Sequence, residues 1–119
     1  LSVASILRDI FDSKREKANL KLKNLQKDKS LLYRSFVIEV PNVPFTYGFV
    51  YTGNGIEELP YPDRSSYTLK AIMPYEVLSA ILTKKLSIQD AIYGGFVKLK
   101  GENPLLHVNI LLSFFGDTV

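Results

Sequence analysis

Between residues 105 and 115 the chain reads LLHVNILLSFF, and eight of these eleven positions are apolar. A helix on the surface of a small domain needs an apolar stripe of only about 100°, whereas this segment is greasy almost all round. Asn103 is placed as its cap, Pro104 as its first residue and Gly116 as its stop. Such a helix is either sandwiched between other elements or touches something outside the chain. With Leu105, Val108, Leu112 and Phe115 packing the core, Leu106, Ile110 and Phe114 are left for a partner subunit or a fused domain. On the other reading the same residues line a ligand.

The rest of the sequence shows what the helix could cover. Val3, Ile6, Leu7, Ile10 and Phe11 form the stripe of an amphipathic N-terminal helix. Whether it runs on through Ala18, Leu22 and Leu25 is open, because Asn19, Asn24 and Asp28 weaken helical propensity; a break is expected between Asn24 and Ser30. From Leu31 the period changes to two. Leu32, Arg34, Phe36, Ile38 and Val40 share one face of a strand. Pro41 and Pro44 force a turn, and Phe45, Tyr47, Phe49 and Tyr51 share one face of the next strand. Gly53, Asn54 and Gly55 predict a hairpin into a third strand near Ile56 to Tyr61, with Pro60 and Pro62 marking it as an edge. A fourth strand spans Tyr67 to Ile72.

Pro74 then opens a helix that buries Val77, Leu78, Ile81 and Leu82. Ser87 and Asp90 make a capping pair for a second short helix carrying Ile88, Ala91 and Ile92. Phe96 to Lys100 is the fifth strand, with Lys98 and Lys100 on a face that meets water or an anion.

Several functions are excluded by composition. The chain has 119 residues, no Cys and a single His, so disulfides, thiol chemistry and multi-histidine metal sites are out. Hydrophobic residues at 46% and seven each of Tyr and Phe argue for a folded domain. One domain covering 1–119 is expected, with the Leu1 start pointing to a piece of a longer chain. The longest apolar run is too short and too interrupted to span a bilayer, and Arg8, Asp9 and Asp12 break any signal-peptide pattern. A cytoplasmic protein is the expectation. His107 lacks a nucleophile or an acid tied to it by spacing, and Glu57 and Glu58 point to opposite sides of a strand, so no catalytic residue, cofactor or metal is expected.

The order of elements, together with the run LTKKLSIQDAIYGGFVKLKGEN, resembles the sterol carrier protein 2 (SCP2) domain family. The residues that carry the resemblance are Leu78, Leu82, Lys85, Leu86, Ala91, Gly95, Val97, Lys98, Leu99, Lys100 and Gly101. The chain departs from the pattern at two points: Thr83 or Lys84 replaces a usual glycine, and Met73 replaces a usual polar cap before Pro74. The resemblance implies an α/β (α+β) fold with an N-terminal helix, a three-strand antiparallel meander and a crossover to two further strands. Its five-stranded mixed sheet is covered on one face by helices, the last of them apolar.

It also implies a non-enzymatic carrier that holds a fatty acid, fatty acyl-CoA, phospholipid or sterol-like ligand in an apolar tunnel. The tunnel lining is expected from Leu69, Ala71, Val77, Leu78, Ile81, Leu82, Ile88, Ile92, Phe96, Leu105, Val108, Leu112 and Phe115. The alternative is an SCP2-like interaction or dimerisation domain of a larger enzyme or regulator, its cavity filled by its own side chains.

Charge adds one more candidate surface. Residues 14–29 carry seven basic side chains against two acidic ones, in a chain of net charge +3. Lys14, Arg15, Lys17, Lys21 and Lys23 could touch an anionic membrane, although a solvated helix and loop explains them as well. The absence of interleaved aromatics argues against nucleic acid. Lys70, Lys98 and Lys100 are expected on the solvent side of the sheet, where an anionic headgroup is the alternative to plain water.

Overall fold

Strict alternation builds the sheet. The computed structural model describes residues 2–21, 32–52 and 55–115. In chain order these form α1 (Val3–Lys21), β1 (Ser35–Val40), β2 (Phe45–Thr52), β3 (Gly55–Glu58), β4 (Leu69–Ile72), α2 (Tyr75–Leu82), α3 (Ile88–Tyr93), β5 (Lys98–Gly101) and α4 (Pro104–Phe115). The strands make one mixed sheet in the order β3-β2-β1-β4-β5. β1 is antiparallel to β2 and parallel to β4.

The register pairs Phe36 with Phe49, Ile38 with Tyr47 and Val40 with Phe45, which puts all six rings and branched chains on one face. Leu69 and Ala71 continue that face through Phe36 and Ile38. The helices cover it, as expected, and β3 is an edge strand, as its prolines and acids imply.

Local chemistry sets where the elements begin and end. β1 starts four residues later than Leu31, because Tyr33 adopts φ 63, which no extended strand accommodates. β3 stops at Glu58, ahead of Pro60 and a Tyr61 at φ 52. β5 starts at Lys98 because the amides of Phe96 and Val97 are used by the Ala91 carbonyl at the end of α3. α1 runs through Asn19 to Lys21, and Asn19 contributes by bonding outward: its Oδ1 accepts the Ile56 amide at 3.1 Å. The break expected between Asn24 and Ser30, the hairpin residues Gly53 and Asn54, and Gly116 lie outside the described residues.

The opposite face of the sheet carries its own cover. Passing from β3 at one edge to β4 beyond β1, the chain must cross β2 and β1, and residues 59–68 do so on the outer face. The Leu59 amide bonds the Gly48 carbonyl at 2.8 Å, and the Ser35 hydroxyl bonds the Ser66 carbonyl at 3.1 Å. Gly48 is required by this crossing, since a Cβ there would lie 3.0 Å from both Leu59 and Pro62.

Both departures from the SCP2 pattern have local solutions. The polar cap missing at Met73 is replaced from a distance: Asn42, in the β1–β2 turn, accepts the Tyr75 amide at 2.9 Å and donates to Glu76 at 3.3 Å. The missing glycine is replaced by strain, for Lys84 adopts φ 62 at the end of α2. A non-glycine residue in that region costs about 1–2 kcal/mol. Glycine removes the strain but adds chain entropy to the unfolded state. Lys84→Gly is therefore expected to stabilise the fold by about 1 kcal/mol, read as a raised denaturation midpoint with an unchanged denaturant slope.

Candidate functional site

The interior between sheet and helices is built from rings. Phe114 of α4 stacks on Phe49 of β2 with centroids 4.5 Å apart and planes 6° from parallel. Phe11 of α1 meets Phe45, Tyr47, Phe114 and Phe115 edge-on, at 5.3, 5.3, 5.7 and 5.9 Å. Such geometries add about 0.5–1.5 kcal/mol per pair beyond burial. The apolar circumference of α4 is thereby explained: Val108, Ile110, Leu111, Leu112, Phe114 and Phe115 are all buried, between the sheet on one side and α1 and α3 on the other.

The residues expected to line a tunnel are brought together as packed core. Leu69, Ala71, Leu78, Ile81, Ile88, Leu112 and Phe115 belong to one buried cluster, with Val77, Leu82 and Ile92 packed against its margin. Val108 is buried too. Leu105 lies outside the residues whose side chains are described. Phe96 stands apart from this interior, 56% exposed at the surface.

An open apolar site does exist, one layer further out. A groove of ≈ 190 Å³ runs between α1 and α2, lined by Val3, Ile6, Leu7, Ile10, Tyr75, Ser79, Leu82 and Thr83. Ile6 and Val3 are 47% and 43% exposed along it. Of the expected lining only Leu82 is shared. The signal for the others was present, because Val3, Ile6 and Ile10 were legible as an amphipathic stripe. What the sequence lacked was the partner helix that turns part of that stripe into a groove wall. The Thr83 hydroxyl donates to the Ser79 carbonyl at 2.8 Å, which engages its proton within the chain. Beyond Ile10 and Leu82 the groove opens into a shallower hollow of ≈ 500 Å³ bordered by Asp9, Ser13, Lys14 and Lys17.

One wall of the groove is anchored firmly. α1 is fastened to the sheet by Arg8 pairing with Glu58, by the Tyr47 hydroxyl donating to Asp12 at 2.8 Å, and by Arg15 donating to that hydroxyl at 3.0 Å. Burial, followed by the bond to Asp12, pushes the Tyr47 pKa well up. The Arg8 pKa is raised by its bond to Glu58. Two of the five basic residues expected to meet a membrane are thus engaged inside the fold, since Lys14 bonds the Phe115 carbonyl at 3.2 Å and Arg15 bonds Tyr47. Lys17 is exposed, and Lys21 (for its side chain) and Lys23 lie outside the described residues. His107 is half-buried, its Nδ1 3.3 Å from the Glu102 carbonyl and its ring against Phe36. Among the described residues there is no cluster of three or more potential metal ligands, and no helix long and apolar enough to cross a membrane.

This architecture is that of SCP2 domains. The structure is similar to the UbiJ-SCP2 ubiquinone synthesis protein, with a TM-score of 0.63 and 14% identity over 93% of this chain and 96% of that one. It is also similar to sterol carrier protein domain 2 of Helicoverpa armigera, with a TM-score of 0.57 and 15% identity over 93% and 88% of the two chains. A double mutant of the Pseudomonas sec-alkyl sulfatase PisA1 matches over 70% of this chain but only 12% of its own, with a TM-score of 0.52 and 18% identity. No family model matches the sequence, and no curated protein matches it by sequence.

Two tyrosines on one strand give contrasting tests. The Tyr47 hydroxyl is bonded on both sides, whereas the buried Tyr51 hydroxyl has no hydrogen-bond partner among the described residues, and burial pushes its pKa up. Tyr47→Phe is expected to lower stability by about 1–3 kcal/mol, by stranding Asp12 and Arg15. Tyr51→Phe should leave stability unchanged or raise it. Chemical denaturation of the two variants measures both.

Proposed function

We propose that the protein is a non-catalytic carrier for an amphipathic lipid, whose apolar chain lies along the α1–α2 groove. The observation that carries this reading is the groove itself: an exposed, mainly apolar channel on a fold shared with sterol carrier domains. Hydrocarbon needs a dry wall and little else, since each buried methylene contributes about 0.8 kcal/mol without directional bonds. At ≈ 190 Å³ the groove is smaller than the roughly 300–1,000 Å³ of sites that engulf a small molecule. It therefore takes part of a chain, or widens as α2 moves away from the anchored α1. The exposed Lys17, in the hollow that continues the groove, suits a carboxylate or phosphate head. The core residues behind the groove, from Leu69 to Phe115, would serve as its floor on widening.

A second reading has support from the ring packing. With Phe11, Phe49 and Phe114 filling the space between sheet and helices, the domain could serve as a self-filled interaction module of a larger chain. The sulfatase match, over a small fraction of that enzyme, is compatible with such use.

A fluorescent fatty acid titrated into protein stripped of lipid separates the two. Saturable binding is expected, and Ile6→Asp should weaken it about tenfold or more while leaving the melting temperature near its starting value, because Ile6 is 47% exposed. Leu112→Asp is a poorer probe, since Leu112 is core and its loss unfolds the domain. Absence of saturable binding, with a stable dimer seen in sedimentation, would favour the interaction module.

A further inference from the structure

Where α3 turns into β5, at Gly94 and Gly95, two large rings are left at the surface: Tyr93 is 67% exposed and Phe96 56%. The Phe96 ring lies on the Gly94 backbone, so close that a Cβ on Gly94 would come within 2.9 Å of it. Beside it is an open hollow of ≈ 540 Å³, whose lining includes Pro41, Ile72, Met73, Pro74, Phe96 and Lys98. On the outer face of the sheet Lys98 stands opposite Ile72, and Lys100 opposite Lys70. Lys70 is satisfied locally, 3.2 Å from Glu39 and 5.5 Å from the centre of the Tyr67 ring. Lys98 and Lys100 are exposed, and among the described residues neither has an ion-pair partner.

We propose that this patch, comprising Phe96, Lys98 and Lys100, docks the protein on an anionic lipid bilayer. Aromatic rings favour the headgroup layer, where an apolar body and a wet rim are both accommodated. Lysines beside them reach the anionic phosphates while their stems stay in the apolar zone. An acidic peptide fits less well. The free edge of β5 is four residues long and carries two lysines, a short charged edge that resists strand addition. The hollow also offers few polar side chains to hold a peptide backbone, and Asn42 at its margin is already committed to Tyr75 and Glu76. Pro74 in the hollow precedes Tyr75 in the α1–α2 groove, so the docked face adjoins the groove at the start of α2. The docking surface extends the carrier reading by naming where lipid is collected, and rests on it in that respect alone.

The experiment is co-sedimentation of the full chain with phosphatidylcholine vesicles, with and without phosphatidylglycerol. Enrichment on the phosphatidylglycerol vesicles is expected, falling with added salt. Lys98→Ala and Lys100→Ala should each weaken it about fivefold, and Phe96→Ser about tenfold. Lys85→Ala, in the exposed turn after α2, should change it by less than about twofold. All four positions are exposed, and equal melting temperatures confirm intact folding. Equal binding to both vesicle types, indifference to salt, or loss with Lys85→Ala but not with the β5 lysines would each overturn the proposal. Fatty-acid titration of the same variants in solution reports on the groove separately. Vesicle binding without fatty-acid binding would sink the carrier reading and leave the docking surface standing.

Discussion

The stacking of Phe114 on Phe49 is the contact on which the rest of the structure depends. It seats α4 flat on the sheet, and Phe11 can then enter edge-on from α1 against rings of both layers. Offset and edge-to-face rings are attractive only in particular geometries, so this cluster sets the spacing between layers as well as binding them. An aliphatic helix of equal hydrophobicity would bury similar area and leave the depth of α4 less defined. The cluster also answers why α4 is apolar on nearly every side: it is an inner layer, with the sheet beneath it and α1 and α3 against its other faces.

Once α4 is seated, polar contacts add to the apolar packing that holds α1 in place. α1 is tied to β2 and β3 by the Arg8–Glu58 pair, by the Asp12–Tyr47–Arg15 chain and by Asn19 on the Ile56 amide. Of these the Asp12–Tyr47–Arg15 chain is part-buried and costs the most to break, whereas the exposed Arg8–Glu58 pair contributes little. α2 is held at its start by Asn42 and ends at a strained Lys84.

Much of the architecture was legible before any coordinates. Alternation in Phe36–Val40 and Phe45–Tyr51 specified two strands and their shared face, because a period of two leaves each side chain no choice of side. Ser87 with Asp90 marked the start of α3, and the Ser87 hydroxyl does accept the Asp90 amide. Pro60 and Pro62 marked an edge. The candidate site was less legible. Most of its expected lining, Leu69, Ala71, Leu78, Ile81, Ile88, Leu112 and Phe115 among it, is packed core, while Ile6 and Val3, which remain reachable, read as ordinary members of a stripe. Phe96, grouped with the interior on its hydrophobicity, lies at the surface because the amide bonds to Ala91 hold it in the turn ahead of β5.

Local sequence by itself determined which segments are helix and strand, which faces are apolar, and where β2, α3 and α4 begin, since periodicity, caps and prolines act within a few residues. Tertiary structure alone decided that residues 59–68 cross the outer face of the sheet, that Gly48 must make room for them, and that Asn42 caps a helix thirty-three residues away. It also decided that α1 and α2 enclose a groove. These features depend on which strands become neighbours and how far apart the layers sit, quantities fixed by packing among segments distant in the chain.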